Sequence, residues 1–169
     1  MSERKRIKAD ALKAYDVKRW TLIPLHLYDA VSTIKRKGKT LERRDGKRPQ
    51  HFNWTTQPYS SAKVLARCLE QNRNIGVRLK PDQLVIDVDP RNGGDKSWKE
   101  LCADLGLDAS AFPCVVTGSG GLHLYMSKPD DVPVVDTLED YPGVEFKSKG
   151  RQVVAAGSIH PDTLKHYDW

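Results

Sequence analysis

The sequence is short of cysteine, methionine and phenylalanine, with three, two and three among 169 residues. Cys68, Cys102 and Cys114 are odd in number and never closer than twelve positions. That spacing excludes a disulfide framework and a Cys-x-x-Cys zinc knuckle, and leaves reduced thiols. No stretch approaches the ~18 to 20 uninterrupted apolar residues that span a bilayer, and the charged N-terminus lacks the apolar run of a secretion signal. The expected setting is therefore cytoplasmic, with no membrane partner. Internal repeats and low-complexity tracts are absent too, which excludes solenoid and linker architectures.

Charge is plentiful, and it is unevenly placed. Residues 1–48 carry 15 Lys+Arg against 6 Asp+Glu, and residues 49–169 carry 13 against 16, so a net charge of +6 divides into a basic front and an acidic remainder. The front holds three clusters: Arg4-Lys5-Arg6, Lys35-Arg36-Lys37-Gly38-Lys39 and Arg43-Arg44-Asp45-Gly46-Lys47-Arg48. Clusters of this kind neutralise phosphates, and three of them point to nucleic acid.

Residues 5–19 have helix-forming composition, with Ile7, Ala11, Leu12 and Tyr15 near helical spacing. A basic N-terminal helix over 1–20 is expected, as part of the core or appended to a catalytic domain over 21–169. Leu22-Ile23-Pro24-Leu25 reads as an edge strand, because Pro24 cannot donate to a central ladder. Asp29 to Gln57 is long, basic and turn-rich, and reads as a mobile gripping loop. Ser60 or Ser61 caps a helix running to about Asn72. Asn74–Leu79 and Gln83–Asp89 read as an antiparallel hairpin turned at Lys80-Pro81-Asp82. Helix is expected over Asp95–Leu105, stopped by Gly106. Strands then follow at Cys114–Thr117 and Leu122–Met126, joined by Gly118-Ser119-Gly120-Gly121, and at Val144–Lys147 and Gln152–Ala156. Few helices among mostly hairpin-linked strands imply an α+β fold, a mixed or antiparallel sheet with helices packed on one face.

Alternation along Leu84–Asp89 turns Leu84, Ile86 and Val88 one way and Val85, Asp87 and Asp89 the other. The two aspartate Cα atoms would lie about 6.5 to 7 Å apart, a spacing from which carboxylates can share divalent ions. Ordinary turn chemistry at Asp-Pro and Asn-Gly-Gly explains them equally well. The same alternation sets His123 and Tyr125 against Leu122, Leu124 and Met126, and Glu145 and Lys147 against Val144 and Phe146. If these strands are sheet neighbours, Asp87, Asp89, His123, Glu145 and Lys147 share one surface. Three carboxylates bind Mg²⁺ or Mn²⁺, and a pair of such ions activates an attacking hydroxyl and stabilises a leaving pyrophosphate. His123, Ser119 and the N–H groups of the glycine turn can hold a phosphate, and Lys147 and Lys149 can neutralise it. A satisfied strand histidine and edge-strand lysines are the plainer explanations.

Asn74-Ile75-Gly76-Val77, Leu84–Asp89, Thr117–Tyr125, Gly143–Lys147 and Gly150–Val154 together resemble the bifunctional DNA primase/polymerase domain of the archaeo-eukaryotic primase superfamily, in order and spacing over about residues 20–169. The resemblance implies a palm-like core related to an RNA-recognition-motif sheet. It implies that Asp87, Asp89 and Glu145 are catalytic and hold two metal ions, Mg²⁺ or Mn²⁺, and that Ser119, His123 and Lys147 bind the incoming nucleoside triphosphate. Ser158 and His160 are further candidates for the nucleotide site. Lys35, Arg36, Lys37, Arg43, Arg44 and Lys47 would bind template, with Lys47 also matching a Lys-x-Pro…Trp pattern near the family's start. Glu145 departs from the more usual Asp, and Ala155-Ala156-Gly157 stands where many relatives carry prolines.

The activity so implied is template-directed nucleotidyl transfer from nucleoside triphosphates to a 3′ hydroxyl on single-stranded DNA. Relatives commonly carry a helicase domain behind this one and serve phage, plasmid or other mobile-element replication. Two alternatives stay open: a two-metal phosphodiesterase or nuclease, and a non-catalytic single-stranded nucleic-acid-binding module.

Overall fold

The structure is a computed structural model, described here over residues 5–169. Arg4 of the first basic cluster and the start of the expected 1–20 helix lie outside the described residues.

The described residues form two sheets and a separate two-stranded ribbon, and every strand pair among them is antiparallel. β1 (Thr21–Pro24), β4 (Ile75–Arg78) and β9 (Gln152–Val154) make a three-stranded sheet in the order β1-β4-β9. β6 (Cys114–Val116), β7 (Leu122–Ser127), β5 (Gln83–Val88) and β8 (Val144–Lys147) make a four-stranded sheet in that order. The fold is α+β, as expected. Pro24 sits on an edge strand, where its missing N–H costs no ladder bond.

The expected hairpin of β4 and β5 does not form, because the two strands lie in different sheets. Both edges of β4 are taken by β1 and β9, and both edges of β5 by β7 and β8. The Lys80–Gln83 turn is instead bonded to itself, Lys80 N donating to Gln83 Oε1 and Gln83 N to the Lys80 carbonyl.

Helix over residues 5–19 is likewise reduced to α1 (Ala9–Lys13). Ile7 N donates to Asn72 Oδ1 and Lys8 N to the Gly157 carbonyl, so tertiary bonds hold the preceding backbone out of the helix. After it, the Asp16 carboxylate accepts from Lys18 N and closes a turn. The segment still belongs to the core, since Leu12 and Tyr15 are buried. α2 (Ser61–Gln71) ends at Asn72 in the left-handed region, and α3 (Gly94–Leu105) ends at Gly106 likewise.

Residues 31–44, read as a mobile loop, form an ordered ribbon of β2 (Val31–Arg36) and β3 (Lys39–Arg44). Lys37 and Gly38 both have positive φ, at 49° and 74°, which makes the two-residue turn whose twist matches the flanking strands.

Two cores result. Ile86, Val88, Leu124 and Val144 pack one face of the four-stranded sheet onto Trp98 and Leu101 of α3. From the opposite face Val85, Val115 and Tyr125 enter the larger core with Leu22, Ile23, Ile75, Val77 and Val153. That second face is therefore dry at one end and open at the other. The three cysteines are free, and burial pushes the Cys68 thiol up to about 11.

Candidate active site

At the open end, sequence alternation and strand register act together. Asp87 of β5 lies directly opposite His123 of β7 on one side and Glu145 of β8 on the other. Three candidate side chains thus form one row across three strands, on one face. The next row along the same face is Tyr125, Val85 and Lys147, and Lys147 reaches diagonally back. Its Nζ lies 2.7 Å from Asp87 Oδ2 and 3.0 Å from Glu145 Oε2. Burial works against that ammonium, but the two carboxylates outweigh it and raise the Lys147 pKa.

Asp89 follows β5 at the mouth of the same pocket, which is lined by Lys47, Asp87, Asp89, Arg91, Ser119, His123, Glu145, Lys147 and Tyr167 among others. Its carboxylate caps a 3₁₀ turn over Pro90–Asn92 and is gripped by Arg91. Arg91 Nε and Nη2 donate to Asp89 Oδ1 and Oδ2, each at 3.0 Å. The guanidinium holds the Asp89 pKa below the usual carboxylate range.

Burial lowers the His123 pKa to about 4, outweighing Asp87, which acts the other way. The ring is neutral at pH 7, with Nε2 3.6 Å from Asp87 Oδ1. It packs against Tyr167 at 5.9 Å between centroids.

The glycine turn is built by Thr117, whose Oγ1 accepts from Gly121 N at 2.9 Å and lies 3.1 Å from Ser119 Oγ. A Cβ on Gly121 would stand 2.4 Å from the Val88 carbonyl oxygen, so only glycine lets this turn lie against the end of β5.

The six basic residues grouped as template contacts separate into three settings. Lys35, Arg36 and Lys37 stand exposed toward the tip of the ribbon, with Lys39 opposite Arg36. Arg43 and Arg44 fasten its base, Arg43 Nε to buried Asp45 at 2.8 Å and Arg44 to the Pro161 carbonyl and the Asp162 carboxylate. Lys47 is in the pocket. It makes no ion pair among the described residues, and burial lowers its pKa.

Ser158 and His160 do not line the pocket. Ser158 Oγ accepts from Ile75 N and donates to the Ile75 carbonyl, tying the chain after β9 to β4. His160 is buried, stacks on Tyr167, and packs beneath Gly118. Sequence reasoning passed over Arg91, Thr117 and Tyr167. An Asp-Pro-Arg turn at the end of a strand is the one local sign of Arg91.

As donors for Mg²⁺ or Mn²⁺, three carboxylates lining one pocket have the right chemistry, hard oxygens from the end of β5 and from β8. Among the described residues no three His, Cys, Asp or Glu side chains converge as a ready metal cluster. Lys147 and Arg91 hold oxygens that a metal ion would use. Among the same residues, no helix is long and apolar enough to cross a membrane.

Comparison with known proteins agrees with the family resemblance. Residues 11–169 match the family described as bifunctional DNA primase/polymerase, N-terminal. No curated protein matches the chain. Among solved structures, the polymerase domain of ligase D from Mycobacterium tuberculosis, in complex with DNA, aligns with a TM-score of 0.40 and 17% identity. The alignment covers 86% of this chain and 70% of that one. With the family matched over nearly the whole length, the chain belongs to the bifunctional DNA primase/polymerase family.

Proposed function

We propose that this domain is a template-directed DNA primase/polymerase that joins nucleoside triphosphates to a 3′ hydroxyl on a single-stranded DNA template. The observation that carries this is the row His123–Asp87–Glu145, with Asp89 beyond it, in a pocket that also holds the Ser119 turn and Lys47. Asp87, Asp89 and Glu145 are the residues to hold two divalent ions. When bound, such ions supply charge stabilisation for an in-line displacement at the α-phosphate.

The chain's own residues do the rest. Ser119 and the backbone of its turn offer hydrogen bonds to phosphate oxygens, and His123, kept neutral by burial, orients one ring N–H. Lys47 and Lys147 place positive charge beside the triphosphate. The tip of the β2–β3 ribbon is suited to template backbone, with little sequence preference. A helicase partner and a phage, plasmid or other mobile-element setting are carried by the family resemblance alone.

The test is strand extension from labelled nucleotides on primed and unprimed single-stranded DNA. Asp87→Asn and Glu145→Gln should each lower incorporation at least about a hundredfold while circular dichroism stays unchanged. Undiminished synthesis in either variant refutes the assignment. Strand shortening in place of lengthening identifies a phosphodiesterase.

A further inference from the structure

Asp89 carries more hydrogen bonds than a metal ligand can keep. Its Oδ1 accepts from Arg91 N at 3.1 Å and Arg91 Nε at 3.0 Å, and its Oδ2 accepts from Arg91 Nη2 and Asn92 Nδ2, both at 3.0 Å. An ionised carboxylate offers about four lone-pair positions. All four are filled, two of them by one side chain. Asp87 is different. Lys147 bonds its Oδ2, while among the described residues its Oδ1 has only His123 Nε2 at 3.6 Å, beyond hydrogen-bonding reach.

Building on the polymerase reading, we propose that Arg91 is a nucleotide-sensitive clamp: it keeps Asp89 from divalent ions until a triphosphate takes its guanidinium away. Three features suit Arg91 to this. The side chain is 63% exposed, so its release uncovers no core. It lines the pocket beside Ser119 and Lys47, within reach of a phosphate placed there. A guanidinium forks onto phosphate with the same geometry that it uses on a carboxylate, so the exchange replaces one bidentate partner by another.

Release of the fork frees one position on each Asp89 oxygen, while Asn92 and the Arg91 backbone N–H continue to orient the group. The protein then has two unlike cation positions. One, at Asp87 and Glu145, is opened by moving Lys147 alone. The other needs Asp89 and opens only with nucleotide. Nucleotide and the second ion therefore raise each other's affinity, as linkage requires.

Mn²⁺ binding, followed by electron paramagnetic resonance with and without a triphosphate that cannot be incorporated, tests this on the intact domain. The wild type should take up one ion alone and two with the triphosphate. Arg91→Gln should take up two without it, and its second-ion affinity should change less than about threefold on adding nucleotide, against about tenfold or more in the wild type. Arg91→Lys keeps the charge without the fork, and should fall between them.

Unchanged melting temperatures in chelator would show that the variants differ in binding and not in folding. Two ions on the nucleotide-free wild type, a single ion on nucleotide-free Arg91→Gln, or no ion on any form would overturn the clamp. Failure of the polymerase reading looks different: the Mn²⁺ coupling would persist while primed template is never extended.

Discussion

His123 should make the domain acid-sensitive, over a pH range set by its burial. In the unfolded chain its imidazole takes up a proton near pH 6.5, and in the folded protein only near pH 4. Between those values the unfolded state binds the extra proton, so stability falls as pH falls. Above about 6.5 the ring is neutral in both states and contributes no slope. The difference of roughly 2.5 units, at ~1.4 kcal/mol each, amounts to about 3 kcal/mol across the window. At 5% exposure the ring is too buried for solvent to screen much of this away.

The assay is urea unfolding in chelator at steps from pH 7 to pH 4, for the wild type and His123→Gln. The variant is expected to be less stable at pH 7, and that level is not the readout. Its loss of stability on acidification should be smaller than the wild type's by most of that amount. Curves that stay parallel from pH 7 to pH 4 would refute the reasoning. Other buried histidines, such as His160, titrate equally in both proteins and cancel in the difference.

Four further outcomes follow from the geometry. Replacing Lys35, Arg36, Lys37 and Lys39 by Gln should weaken single-stranded DNA binding and flatten its salt dependence by ~0.7 in log–log slope for each phosphate no longer neutralised, measured by fluorescence anisotropy; Arg43→Gln should instead lower the melting temperature. Tyr15→Phe removes the acceptor of Ala156 N and the 3.0 Å contact with Tyr125 Oη, both buried, and should cost about 1–3 kcal/mol by chemical denaturation. Gly121→Ala sets a Cβ against the Val88 carbonyl, and should cost roughly 1–3 kcal/mol and reduce nucleotide incorporation by displacing Ser119.

The row of site residues was legible because a strand's period is two. Once Asp87, His123 and Glu145 stood opposite apolar neighbours in sequence, only the pairing of the strands was needed to align them. Pairing was the illegible part. A turn at Lys80-Pro81-Asp82 suits a hairpin, yet both strands are apolar enough to be covered on two sides, and each found other partners. The β2–β3 ribbon was missed for the opposite reason. Val-Ser-Thr-Ile-Lys-Arg and Lys-Thr-Leu-Glu-Arg-Arg bury little, so neither shows a core-facing alternation, and the Lys37-Gly38 turn was the only sign. Composition located the cations of the front segment but not their tasks. Whether an arginine stays exposed, as Arg36 does near the ribbon tip, or meets a buried aspartate, as Arg43 does, depends on a fold the charge count does not contain.

The register of Asp87 also bears on how the domain comes into being. Its two partners across the sheet lie 36 and 58 positions further along the chain, at His123 and Glu145. A polypeptide emerging from the ribosome displays both aspartates long before either neighbouring strand exists. Pairings at such separations close large loops and slow the search for the native topology. The basic front of the chain is therefore complete well before this pairing, and the row of His123, Asp87 and Glu145 closes only when β8 docks beside β5.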